Sequence, residues 1–168
     1  SFFHSFELPL TIARPFNTYG PRQSARAVIP AIITQISSGK ARVELGDVTT
    51  TRDFNYVADT CRGLIALADC SEAIGKAVNI GSNSEISIAD ILQIIQDLMG
   101  SNAEFVEDKQ RVRPRDSEVL RLCCDNSLIK NLVGFEPEVD IRAGLQSTIE
   151  WFAKPGNLHK YKVDLYNV

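Results

Sequence analysis

Three polar segments carry residue types that could hold a ligand. The first reads Arg14-Pro15-Phe16-Asn17-Thr18-Tyr19-Gly20-Pro21-Arg22-Gln23, an apolar run that ends in a glycine-proline loop. Ligands of open α/β sheets lie outside the carboxyl ends of strands, so Asn17 is placed either to touch one or to cap a turn. The second segment spans Gly46 to Asp59 and contains Arg52-Asp53-Phe54-Asn55-Tyr56-Val57-Ala58-Asp59. Arg52 can grip a diphosphate with both arms of its guanidinium. The alternative is a local ion pair with Asp53 or Asp59, of a kind that adds little stability. The third, Arg111-Val112-Arg113-Pro114-Arg115-Asp116-Ser117-Glu118, alternates arginines before two carboxylates. Such a stretch serves as a phosphate clamp or as a solvated charged loop.

Other chemistries fit poorly. Cys61, Cys70, Cys123 and Cys124 include no Cys-x-x-Cys pair, and the two histidines, His4 and His159, sit in terminal segments without a spaced partner. No zinc or other metal site is expected, and the thiols are expected to be buried and reduced. A net charge of -3 argues against general nucleic-acid binding, which needs a basic footprint. Arginine still supplies 11 of the 18 basic residues, so local anion sites remain open. No apolar run reaches membrane-spanning length and no leader pattern opens the sequence, so a cytoplasmic protein is expected.

The elements that must position these segments alternate. Ser1 to Phe6 resembles the end of an amphipathic helix, and Leu8 to Ala13 reads as a buried strand followed by a loop from Asn17 to Gln23. A helix with Pro30 near its start carries Ile29, Ile32, Ile33 and Ile36 on one face and ends at Gly39. Short strands are expected at Val43–Leu45, Asp53–Val57, Ala77–Ile80, Phe105–Val106 and Leu120–Cys124. Helices follow from Val57, with Cys61, Leu64, Ile65 and Ala68 as the apolar face, and from a Ser87 cap to Gly100. Two more are expected, one from Asp125 or Asn126 to Leu132 and one from about Ile141 to Phe152. With 168 residues, this is one domain in which strands and helices mix throughout, of class α/β or α+β.

In order and spacing, the three polar segments resemble the R-P-x-N-x-Y-G-P, R-D-x-x-Y-V-x-D and R-P-x-D blocks of extended short-chain dehydrogenases/reductases that act on nucleotide sugars. Ala77-Val78-Asn79-Ile80-Gly81, followed by Ser87-Ile88, matches that family's strand, turn and helix. The runs Arg22–Pro30 and Asp116–Val119 look closest to UDP-N-acetylglucosamine 4,6-dehydratases of legionaminic-acid type pathways. The resemblance implies the C-terminal, substrate-binding portion of a Rossmann-type fold, with the last sheet strands and a small mixed α/β lobe over residues 1–154 and a tail over 155–168. It implies a UDP-sugar as ligand, with Asn17 at the sugar or diphosphate, Val28 and Ile29 near the base, Arg52 and Arg113 on the diphosphate and Asp116 at the ribose. Pro15 and Phe16 would approach the nicotinamide of NAD. Arg115 departs from the glycine found there in many relatives.

Hydride chemistry in that family needs a glycine-rich turn for the dinucleotide and a Tyr-x-x-x-Lys pair. Neither pattern occurs here: the ten glycines form no G-x-x-G-x-x-G, and no lysine lies four residues after Tyr19, Tyr56, Tyr161 or Tyr166. The chain is therefore expected to be the binding half of an NAD-dependent dehydratase or epimerase, binding no NAD and inactive alone. Unpaired strand edges lead to an expected homo-oligomer or a complementary N-terminal half. The alternative is a stand-alone oligomerisation or partner-binding module derived from the family.

Overall fold

The computed structural model describes residues 2–108, 110, 111, 119–158 and 161. After a short helix α1 (Phe2–Phe6), strand β1 (Ile12–Pro15) and strand β2 (Asn17–Tyr19) follow one another with only Phe16 between. Helix α2 (Val28–Ser37) has Pro30 in its first turn, where a missing N–H leaves no helical bond unmade. Strands β3 (Arg42–Leu45), β4 (Thr51–Arg52) and β5 (Phe54–Tyr56) lead into helix α3 (Val57–Ala68). Next come β6 (Ala77–Ile80), β7 (Ile86–Ser87) and α4 (Ile88–Met99). Ser87 caps α4 as the capping pattern predicts: its hydroxyl accepts from the Asp90 N–H at 3.0 Å. Gly100 ends the helix in a left-handed conformation. Strands β8 (Glu104–Glu107) and β9 (Arg121–Leu122) and helices α5 (Ser127–Val133) and α6 (Ile141–Ala153) complete the order.

Pairing is mostly parallel. β1 lies beside β6, β2 beside β5 and β3 beside β8, while β4 runs parallel to β9 and antiparallel to β7. Two cores result. The smaller packs Leu67 of α3 and Val78 and Ile80 of β6 against Ile129 and Phe135. The larger gathers Ile29, Ile32 and Ile33 of α2, Ile91 and Ile95 of α4, Val43 and Leu45 of β3, and Leu145 and Phe152 of α6. Burying each such isoleucine or leucine contributes about 1.5–3 kcal/mol. β2 touches both sides: Thr18 lies 3.0 Å from Thr60 of α3, and Tyr19 is part of the larger core. The C-terminal segment also joins the larger core through Leu158 and Tyr161.

Four expectations change. The strand expected to be buried over Leu8–Ala13 instead runs Ile12–Pro15, because only residues from Ile12 on have a partner in Ala77–Ile80, and it is largely exposed, with Ile12 at 49%. Asn17 to Tyr19 is a strand and not a loop, because Phe54–Tyr56 pairs with it. Helix α3 faces the other way from its apolar periodicity: Asp59, Thr60, Gly63 and Leu67 are buried, while Leu64 is 41% and Ile65 64% exposed. Hydrogen bonds claim the inner face, since Asn55 donates to Thr60 and the backbone of Glu138 and Val139 donates to Asp59. With that inversion Cys61 is exposed, as is Cys123; Cys70 is half-buried, and only Cys124 is buried. All four thiols are free.

Candidate functional site

The site starts at the corner after β1. Phe16 N–H donates to the Ile80 carbonyl at 2.8 Å, and the Phe16 carbonyl accepts the Thr18 hydroxyl at 3.1 Å. Thr18 Oγ1 lies 3.0 Å from Thr60 Oγ1, which accepts from Asn55 Nδ2 at 2.8 Å. β2 is thus tied to α3 and β5, and its Asn17 and Thr18 line a cleft of about 510 Å³. That volume suits a small organic ligand, for which pockets run roughly 300–1,000 Å³.

Further lining comes from the second polar segment and from a residue that the family resemblance implies. Val28, the first residue of α2, and Arg52, the last of β4, face the same cleft as Asn17. Ile29 does not: it is 1% exposed and packed in the larger core. Successive helical residues point about 100° apart, so Val28 and Ile29 cannot share one wall. Pro15 is exposed and Phe16 half-buried at the carboxyl end of β1, outside the cleft lining. Arg113 and Asp116 lie outside the described residues.

The cleft takes in further residues of the three segments and of their flanks. Gln23, Arg26, Asp47 and Arg111 are polar neighbours, and Leu45, Phe54 and Ile88 supply an apolar floor. Gly46 admits the third segment: a Cβ there would stand 2.6 Å from the Arg111 carbonyl oxygen. Gln23 donates from Nε2 to the Thr18 carbonyl at 2.8 Å, and its Oε1 is a buried acceptor with no partner among the described residues. All of these residues fall inside or beside the quoted motifs. What sequence lacked was the folding-back of β3 onto β8, which brings Arg111 to Gly46.

Among the described residues, three guanidiniums (Arg26, Arg52 and Arg111) and one carboxylate (Asp47) line the cleft. Arg111 is ion-paired to Asp108 at 2.9 Å, and Arg52 donates to the Thr51 carbonyl at 2.8 Å. Asp53 and Asp59, weighed as local partners for Arg52, are engaged by Ser82 and Cys124 and by Arg62, Glu138 and Val139 respectively. Asp47 is held below the usual carboxylate range by the Thr49 hydroxyl and amide, with the Arg52 charge adding to the effect. Burial, together with the Asp53 charge, pushes the Cys124 thiol up to about 12.

The small sheet that carries Arg52 is clasped at one corner by Glu85, which accepts from Thr51 Oγ1 at 2.7 Å and from Arg121 of β9. These hydrogen bonds, Arg121 first, lower the Glu85 pKa from 4.5 to about 2. A carboxylate with a depressed folded-state pKa stabilises above its unfolded value and loses that contribution as pH falls through the folded one. Glu85→Gln is therefore expected to be less stable than the parent at neutral pH, with the gap closing between pH 4.5 and about 2. Thermal unfolding of both proteins across that range checks it; a constant gap counts against the clasp.

Among the described residues, no helix is long and apolar enough to cross a membrane and no cluster of His, Cys, Asp or Glu is arranged to hold a metal ion. Residues 1–148 match the family model described as GDP-mannose 4,6 dehydratase. A UDP-N-acetyl-alpha-D-glucosaminuronate decarboxylase of Bacillus cytotoxicus is 36% identical over 155 residues, covering 89% of this chain and 48% of the relative. The epimerase Mth375 of Methanothermobacter thermautotrophicus superposes with a TM-score of 0.82 at 33% identity, over 90% of this chain and 45% of that one. The UDP-glucuronic acid 4-epimerase of Bacillus cereus, solved in complex with UDP-glucuronic acid and NAD, gives 0.81 at 29% identity over 89% and 47%. The chain thus spans about half the length of the relatives it matches. On a family match over nearly its whole length, the chain belongs to the GDP-mannose 4,6-dehydratase family of extended short-chain dehydrogenases/reductases, the NAD-dependent dehydratases and epimerases of sugar nucleotides.

Proposed function

We propose that this chain is the nucleotide-sugar-binding portion, residues 1–154, of an NAD-dependent sugar-nucleotide dehydratase or epimerase, with a UDP-sugar as its ligand. The observation that carries the reading is one cleft uniting Asn17, Val28 and Arg52, lined also by Arg26 and Arg111. Arginine forks suit the paired oxygens of a diphosphate, and Val28, Leu45 and Ile88 suit the flat face of a base. Asn17 would reach the diphosphate or sugar, and Arg113 and Asp116 are assigned to the diphosphate and ribose. The narrower likeness to UDP-N-acetylglucosamine 4,6-dehydratases rests on the Arg22–Pro30 and Asp116–Val119 runs.

NAD is proposed not to be held by these residues alone. The Phe16 N–H donates to the Ile80 carbonyl, its carbonyl accepts from Thr18, and Pro15 beside it is exposed. With no glycine-rich pyrophosphate turn and no Tyr-x-x-x-Lys in the sequence, the chain alone is proposed to bind without turnover. Calorimetric titration with UDP and with uridine tests the reading: UDP should bind measurably tighter, and equal affinities or no binding overturn it.

A second reading, association through an apolar face, is favoured by the inverted helix α3. Leu64 lines a shallow groove of about 600 Å³ with Pro9, Ala13 and Ile74, beside the open edge of β1. Such surfaces invite a partner, either a second copy or a complementary chain segment. Light scattering of the pure chain should show a dimer or larger species; a monomer at high concentration removes self-association.

A further inference from the structure

Asp53 is fully buried, and its carboxylate is held by neutral donors alone among the contacts of the described residues. Ser82 N–H and Ser82 Oγ donate to Oδ1 at 2.9 and 2.8 Å, and Cys124 N–H donates to Oδ2 at 3.0 Å. A buried carboxylate is a costly staple where an apolar or neutral side chain would pack more cheaply. Its placement explains the choice. β4 is only two residues long, and Asp53 follows directly on Arg52. Arg52 pairs in register with Ile86 of β7 on one side and Leu122 of β9 on the other. Ser82 stands four residues before Ile86, and Cys124 two residues after Leu122. One carboxylate therefore locks the free end of β4 to both neighbouring connections at once. Gly81 permits the approach, since a Cβ there would stand 2.5 Å from Cys124 Cβ and 3.3 Å from Asp53 Oδ1. Neither Asp53 nor Ser82 lines the cleft that Arg52 faces.

We infer that Asp53, with Ser82 as its main donor, is a positioning residue that sets the Arg52 guanidinium for the diphosphate of the ligand. This inference rests on the nucleotide reading above and adds a determinant of affinity that touches no ligand. A device that acts through Arg52 must lose its effect when Arg52 is absent, which a double-mutant cycle measures. Ser82→Ala is the gentler probe, because it removes one donor and leaves Asp53 with two backbone N–H groups.

Calorimetry with UDP on the parent chain, Ser82→Ala, Arg52→Ala and the double variant tests it. Ser82→Ala is expected to raise the Kd for UDP about fivefold in the parent background, the size of one hydrogen bond, and to leave it unchanged in the Arg52→Ala background. The stoichiometry reports the folded fraction, so a purely structural role would lower the stoichiometry and spare the Kd. An unchanged Kd in Ser82→Ala, or an equal rise in both backgrounds, overturns the inference while the nucleotide reading stands. Absence of UDP binding by the parent chain overturns both.

Discussion

Arg52→Ala is expected to weaken UDP binding by roughly 10- to 100-fold while leaving the fold intact. Hydrogen bonds to charged groups contribute about 1.5–3 kcal/mol, and each 1.4 kcal/mol is about tenfold in Kd. The loss should fall on the phosphates, so uridine affinity should be the same in parent and variant. Structure supplies the reason for a small effect on folding: Arg52 is half-buried at the cleft and its side chain is absent from both hydrophobic cores. Thermal unfolding is expected to shift by no more than about 2 °C, in line with a change of a few tenths of a kcal/mol. Arg26 is the internal control. It also lines the cleft but is exposed, and an exposed charge is screened within about 10 Å at 0.1 M salt. Arg26→Ala should cost only a few-fold in affinity, and most of that should vanish at high salt. An Arg52→Ala chain that binds UDP as well as the parent does would remove Arg52 from the site and leave the cleft without its best-placed cation.

The parts of this molecule that could be read from sequence are those where local pattern and tertiary demand agree. Helices α2 and α4 bury the isoleucines that their 3.6-residue period selects, with Ile36 half-buried against the same core, and the Ser87 cap and Gly100 stop bound α4 as expected. Where a distant partner decides, the pattern misleads. Asn17–Tyr19 becomes a strand only because residues 54–56 lie alongside, and β4 is a strand only because β7 and β9 flank it. Helix α3 is the plainest case. Its periodicity selects Cys61, Leu64 and Ile65, yet Asp59 and Thr60 turn inward because backbone N–H groups and Asn55 wait for them there. At the candidate site, Asn17 and Arg52 lie in the polar segments, and Val28 is reached only through the family resemblance. Ile29 was not separable from Val28 without knowing which face of α2 meets the core. Arg111 sat inside a quoted run, but only the β3–β8 pairing brings it to Gly46.

Gly144→Ala tests whether the larger core and the cleft are mechanically joined. A Cβ at Gly144 would stand 2.8 Å from Tyr19 Cζ and 3.0 Å from Tyr56 Cδ2, with the Tyr19 hydroxyl closer still. Tyr19 cannot yield easily. It is 1% exposed, its ring meets Phe54 and Tyr56 edge-on at centroid distances of 6.1 and 5.5 Å, and its hydroxyl donates to the Ile141 carbonyl at 3.4 Å. Alanine improves helix propensity by about 1 kcal/mol, but overpacking a core costs about 1–3 kcal/mol, occasionally more. With backbone hydrogen bonds fixing α6 on one side and β2 on the other, the clash wins. The net loss is expected near 2 kcal/mol, a Tm about 4–8 °C lower for a chain of this size. Tyr19→Phe removes the oxygen nearest the added methyl, so Gly144→Ala should cost distinctly less in that background, and the two changes should be non-additive by about 1 kcal/mol. Strict additivity would mean that α6 moves aside instead of pressing on Tyr19. The same push reaches the ligand side, because Tyr19 is the last residue of the strand whose first residue is Asn17. Gly144→Ala should therefore weaken UDP binding at temperatures where the chain is still folded, and Tyr19→Phe should restore part of it.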